Sequence, residues 1–261
     1  GYSAQYGQAL SSVVDLTTWN RFAEINAHTV GITPLSLTYG RAYGTDDMTY
    51  SVRFDVTDLQ YFQEANNEGI FKDFVKSNTD FIDAPAGYKI NTSFKKKLSE
   101  GILKYYGRYQ ANKLKLDFGE PDKFTLENDN LYVSLNYKGS VGESWVAQVG
   151  VSYSENEDIG NIYLEALEPV PFVENNELDI SNYDNLLQFR SMFIKNIFSG
   201  SKVKFGLHLF DRNSKFNQIR TDYESFFDEF DRDLNELLSA GFMEMDFKLS
   251  SKVALRLGLR A

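Results

Sequence analysis

The side chains able to do chemistry are few, and their spacing argues against catalysis. The chain has 261 residues, 2 His and no Cys, so thiolate nucleophiles, thiolate metal sites and disulfides are excluded. His28 and His208 fall in separate alternating segments, an arrangement that suits structural roles better than a metal pair or a catalytic dyad. Asn128-Asp129-Asn130 superficially matches a calcium loop, but it lacks the ligand spacing, central Gly and terminal Glu of an EF-hand and is expected to be a polar turn. No nucleophile elbow, phosphate-binding loop or zinc-binding helix motif is present. The expectation is a non-enzyme without cofactor or metal.

Charge is the next resource, and it is unevenly placed. Lys and Arg total 27 against 37 Asp and Glu, a formal net charge of −10. One acidic stretch holds Glu157, Asp158, Glu165, Glu168, Glu174, Glu177 and Asp179 without a Lys or Arg; a second holds Asp222, Glu224, Asp228, Glu229, Asp231, Asp233 and Glu236 around Arg232. Two readings stand side by side: solvated loop charge, or weak sites for divalent cations and cationic ligands. Clustered Lys and Arg are what phosphate backbones require, so no nucleic-acid partner is expected.

Positioning these groups falls to strands. Period-two alternation recurs along nearly the whole chain and predicts eleven strands, at 21–30, 34–44, 48–58, 87–97, 101–116, 129–138, 144–155, 183–197, 202–213, 236–249 and 252–261. In the last, Val253, Leu255, Leu257 and Leu259 share one face while Ala254, Arg256, Gly258 and Arg260 share the other. Tyr50, Val52, Phe54 and Val56 oppose Ser51, Arg53 and Asp55 in the same way. Arg53, Arg108, Arg190, Arg256 and Arg260 all fall on the wet face, and Lys95-Lys96-Lys97 adjoins a short turn.

Connections alternate between short and long. Short turns are expected near 44–47, 98–101, 139–143, 198–201 and 250–251, and longer excursions over 59–86, 117–128, 156–182 and 214–235; the very short link at 31–33 is the exception to that alternation, and the parity of sides requires 21–44 to be two strands. Pro34, Pro85, Pro121, Pro169 and Pro171 all fall in proposed connections or at a strand's first residue. Phe226, Phe227, Phe230, Leu234 and Leu237 recur at helical spacing, as do Ile70, Phe71, Phe74 and Val75, so short loop helices are expected there. Strands of about ten residues can cross a bilayer when tilted, whereas globular strands average about five or six.

The opening residues carry a resemblance. Tyr2, Ala4, Gln5, Tyr6, Gly7 and Ala9, followed by Val13, Val14 and Leu16, resemble the closing strand of the plug domain of TonB-dependent outer-membrane receptors, in the Leu-Ser-Ser variant of Bacteroidota-type members. Tyr88-Lys-Ile-Asn-Thr-Ser-Phe, Leu103-Lys-Tyr-Tyr-Gly-Arg-Tyr, Glu127-Asn-Asp-Asn-Leu-Tyr-Val, Val151-Ser-Tyr-Ser-Glu-Asn and Leu255-Arg-Leu-Gly-Leu-Arg-Ala look like the first barrel half of such receptors. The resemblance implies an all-β, antiparallel transmembrane barrel, with residues 1–20 ending a plug and 21–261 forming about 11 of about 22 strands. It further implies the outer membrane of a Gram-negative bacterium, a TonB-type energy-coupling partner bound through a region outside this chain, an extracellular solute for import, a surrounding lipid bilayer and, in some relatives, a surface lipoprotein. On that reading the chain is an internal fragment, the five arginines face the lumen, and Glu157, Asp158, Glu165, Glu168, Asp228, Glu229, Asp231 and Asp233 belong to extracellular loops. A β-sandwich adhesin shares the alternation, and a passive porin shares the barrel.

Overall fold

The computed structural model describes residues 22–33, 35–59, 80–117, 123–170, 173–198, 200–221, 227–250 and 252–261. Residues 2–9 of the plug-like motif and the expected helix at 70–75 lie outside these. Among the described residues there are eleven strands and no helix: β1 Ile25–Thr33, β2 Ser36–Gly44, β3 Met48–Asp58, β4 Asp80–Leu98, β5 Gly101–Asp117, β6 Lys123–Val141, β7 Trp145–Val170, β8 Val173–Phe198, β9 Ser201–Thr221, β10 Phe227–Lys248 and β11 Ala254–Arg260. They make one antiparallel sheet in sequence order.

The 21–44 region is two paired strands, Thr33 opposite Ser36. Its turn is closed by the Thr33 and Ser36 hydroxyls at 2.8 Å and by Leu35 N–H donating to Thr33 Oγ1 at 3.2 Å. The next turn is held by Thr45 N–H to the Met48 carbonyl and Thr45 Oγ1 to Asp47, both 2.7 Å. Gly142 and Gly200 sit at φ 61° and 80° in the turns before β7 and β9, a region other residues enter at a cost. An added Cβ at Gly200 would also lie 3.1 Å from Lys248 Cδ. Gly200→Ala is therefore expected to lower stability by about 1–2 kcal/mol, read as a lower urea midpoint.

Three expectations fail, for related reasons. Among the described residues the acids of the two stretches lie not in loops but at the far ends of β7, β8 and β10, which run to 26, 26 and 22 residues and pair with a β9 of 21; Asp222 and Glu224 lie outside the described residues. Cross-strand hydrogen bonding continues beyond the point where apolar alternation stops. Phe227, Phe230, Leu234 and Leu237 accordingly lie in β10 rather than a helix, their helical spacing overridden by the β9 ladder. Asn128-Asp129-Asn130 lies mid-strand in β6, opposite Asp158, Glu157 and Asn156, and is not a turn. Pro85 and Pro169 also fall inside strands. The first lies between Asp83 and Ala86 where the β4–β5 register slips, and the second lies in the unpaired stretch between Glu165 and Val170; both are irregularities that tolerate a missing N–H.

Candidate functional site

The register sorts every strand onto two faces. On one lie Tyr50, Val52, Phe54 and Val56 of β3, Leu131, Val133, Leu135 and Tyr137 of β6, and Trp145, Val149, Val151 and Tyr153 of β7. Phe189 and Phe193 of β8, Phe205, Leu207 and Leu209 of β9, and Leu255, Leu257 and Leu259 of β11 continue it. Nothing among the described residues covers this face as a second layer: all strands belong to one sheet, and Leu259 and Ile32 are each 78% exposed. Only Ala147, Met192 and Phe242 are buried apolar side chains among the described residues.

The apolar face is a bounded belt. Its upper edge, taken at the last large apolar or aromatic side chain continuous with the belt on that face, runs through Val56, Tyr88, Tyr109, Leu131, Tyr153, Leu187 and Leu209. Val56 pairs with Tyr88, but Tyr88 pairs with Ala111, two residues beyond Tyr109; Leu131 likewise pairs with Glu155, two beyond Tyr153, and Leu187 with Asp211, two beyond Leu209. From β3 to β9 the edge therefore slips by about one residue per strand, whereas Ile32, Leu37 and Val56 stand level across β1, β2 and β3 and Leu237 of β10 lies two residues above Leu209. With a rise of ~3.3 Å and strand spacing of ~4.8 Å, that slope corresponds to strands tilted about 35° to the belt. The turns before β5 and β7 step the same way, since Leu98 lies two residues below the Met48–Lys96 pair and Val141 two below the Gly101–Gly139 pair.

Aromatics mark both edges. Tyr43 and Tyr50 meet with centroids 5.5 Å apart; Trp145 meets Phe205 edge-on at 5.4 Å and Phe205 stacks on Phe193 at 5.3 Å, with Lys195 Nζ 5.2 Å above Trp145. At the upper edge Tyr88 and Tyr109 lie 5.6 Å apart. From Trp145 to Tyr153 the belt is roughly 26 Å long along the strand.

The opposite face collects the charges. All five candidate arginines lie on it, as the alternation predicts, but they do not form one site. Arg53 contacts Asp55 at 2.9 Å, and Asp55 also accepts from Thr38 Oγ1 at 2.7 Å. Arg108 donates to Gln110. Arg190 stands opposite His208 in the β8–β9 ladder, and Arg260 Nη2 is 3.3 Å from His208 Nδ1; His208 is buried beside Phe242, 5.3 Å away. Arg256 enters a network near the β10–β11 turn, 2.6 Å from Asp246 and 3.5 Å from Glu244, while Lys204 is 2.6 Å from Glu244. Sequence reasoning found the arginines and missed these acceptors, although Glu244 and Asp246 share the arginines' parity.

Above the belt the candidate acids divide between the two faces. Glu157, Asp231 and Asp233 line, with Lys215, a hollow of about 290 Å³ on the continuation of the apolar face. Glu229 shares that face, Glu165 and Asp228 pair with Asn175 and Arg220 in the ladders, and Glu168 lies in β7. Asp158 points the other way, into an amide cluster. Asn128 Nδ2 donates to it, as do Asn156 and Asn182 at 3.4 Å, and Asn112 and Asn130 donate in turn to Asn128 Oδ1. Asn112, Asn128 and Asp158 line a hollow of about 510 Å³ with Thr57, Pro85, Ala86, Gly87, Lys113, Leu114 and Leu126. Gly87 makes room for it, since a Cβ there would lie 2.6 Å from Asn112 Oδ1. The alternate spacing of Asn128 with Asn130, and of Asn156 with Asp158, was the available sequence signal. No group of three or more potential metal ligands occurs among the described residues.

No family model matches the chain, and no curated protein matches it.

Proposed function

We propose that this sheet is the first part of a transmembrane β-barrel in a TonB-dependent outer-membrane importer, with its apolar belt against lipid and its arginine-bearing face toward an aqueous interior. The observation that carries the reading is the tilted belt. A single sheet with an uncovered apolar face is unstable in water, whereas a slope of about 35° and aromatic edges agree with outer-membrane barrels, whose strands tilt roughly 35–45° around a band ~25 Å tall. Short turns at one rim and, the β1–β2 link apart, hairpins reaching past the other repeat the asymmetry of periplasmic turns and extracellular loops. A sandwich adhesin would bring a second sheet over the belt.

Closure must come from further strands, because backbone polar groups in lipid need partners within the protein. β1 and β11 run in the same direction within the odd-numbered ladder, so an all-antiparallel closure requires an odd number of additional strands. Import into the periplasm, energised through a TonB-type partner, rests on the plug-like residues 2–9 and distinguishes the reading from a passive porin.

Fractionation tests the membrane placement. The whole protein is expected in the outer-membrane fraction with migration on gels that changes on boiling; recovery from the aqueous fraction without detergent would overturn it. Energised uptake is tested by deleting the segment that contacts the energy partner. Unchanged uptake would refute the importer and leave the porin.

A further inference from the structure

We propose that the amide-lined hollow around Asn128 and Asp158 is a binding subsite for a neutral, hydroxyl-rich ligand of the oligosaccharide class. The inference rests on the importer reading for its setting, at the extracellular end of the interior wall, and on the side chains for its chemistry. The volume of about 510 Å³ falls within the ~300–1,000 Å³ usual for small-molecule sites.

Charge narrows the ligand. The carboxylate in the hollow, Asp158, already accepts from three carboxamides, and Lys113 at the margin is 3.1 Å from Glu127. No Arg lines the hollow. Asp158 keeps its negative charge, which disfavours anionic chelates, and a cation would have to displace the three carboxamides that occupy its oxygens.

Hydrogen-bond accounting narrows it further. The relay runs toward Asp158, from Asn112 to Asn128 and from Asn128 to the carboxylate. Each carboxamide has two N–H donors and an acceptor oxygen, so the relay leaves Asn112 with an acceptor and Asn128 with a donor beyond their mutual bonds. A mixed set of adjacent donors and acceptors matches vicinal hydroxyls, each of which does both. Leu126, 40% exposed, and Leu114 adjoin the amides and offer an apolar surface to the C–H face of a sugar ring. Gly160 pairs with Leu126 across the β6–β7 ladder, and a Cβ there would meet nothing within 4 Å, so the wall beside Asp158 is open.

The test uses the detergent-purified whole protein on an array of neutral linear oligosaccharides of glucose, xylose, mannose and fructose, with a ferric catecholate chelate and an uncharged hexapeptide as comparators. Retention of at least one oligosaccharide is expected, weakened at least tenfold by Asn128→Ala. Gly160→Phe removes no amide and enters open space, so it reports on occupancy where the amide variant fails to fold; it is expected to weaken retention equally. A silent array, retention unaltered in a folded Gly160→Phe variant, or binding of the chelate or peptide instead would overturn the subsite. A protein that stays in the outer membrane but fails these assays leaves the importer reading standing, whereas a soluble protein removes both.

Discussion

Leu135→Arg is expected to destabilise the protein by about 2–4 kcal/mol, while Asn136→Arg, one residue away, is expected to cost no more than about 1 kcal/mol. Leu135 is 42% exposed on the apolar face, pairs with Val151, and lies midway along the belt of β6. On the membrane reading its side chain meets hydrocarbon near the midplane, where a guanidinium has neither water nor a partner within easy reach. Asn136 faces the other way, between Lys104 and Gly150, where a glycine on one side leaves room and an aqueous interior solvates charge, so the like charge of Lys104 directly opposite costs at most about 1 kcal/mol. The measurement is the urea midpoint of each variant of the whole protein folded into phospholipid vesicles. Equal midpoints for the pair would mean that the two faces see the same solvent, and the lipid assignment would fall. A water-exposed sheet gives that outcome, since an exposed Leu→Arg change in water typically costs under about 0.5 kcal/mol.

The sequence made the eleven strands and their faces legible because alternation is a local property. Val253 to Leu259 sort themselves without reference to neighbouring strands, and the register keeps all the sorted residues on the expected sides. Strand ends were not legible beyond the belt. Once residues are polar on both faces, as at Glu155-Asn156-Glu157-Asp158, period two carries no hydrophobic signal, and hairpin continuation depends on backbone pairing with β6 and β8 that composition does not encode. The same blindness turned Phe227, Phe230 and Leu234 into an expected helix. Their spacing is real, but β9 supplies a ladder partner for each of them, Thr221, Gln218 and Ser214.

The arginines were half legible for a parallel reason. Parity assigns Arg53 and Arg256 to one face, but which acid meets which arginine depends on register, a non-local quantity. Asp55 lies two residues along the same strand from Arg53 and was within reach of a sequence reading. Asp246 meets Arg256 only because β10 and β11 pair with that offset. The amide cluster is non-local in the same sense, assembled from β5, β6, β7 and β8 around one carboxylate.

Two ion pairs on the same face are expected to differ severalfold in worth, and burial decides which matters. Arg53 is 56% exposed, so Arg53→Ala is expected to cost no more than about 1 kcal/mol, as exposed pairs do. Glu244 has 0% side-chain exposure and Lys204 11%, at 2.6 Å. Removing one partner of such a pair leaves the other charge without full solvation, at a cost of about 3–5 kcal/mol. Asp246, 3.5 Å from Lys204 Nζ, remains as a substitute acceptor, so Glu244→Ala is expected near the lower end of that range. Replacing both members, Lys204→Met with Glu244→Leu, is expected to restore most of the loss, because an apolar pair of similar volume carries no desolvation cost. Urea midpoints of the two single variants and the double variant complete the cycle. A double variant as unstable as the sum of the singles would show that the side chains act independently, and that the wall near the β10–β11 turn is held by packing around Phe242 and Met192 rather than by the Lys204–Glu244 contact.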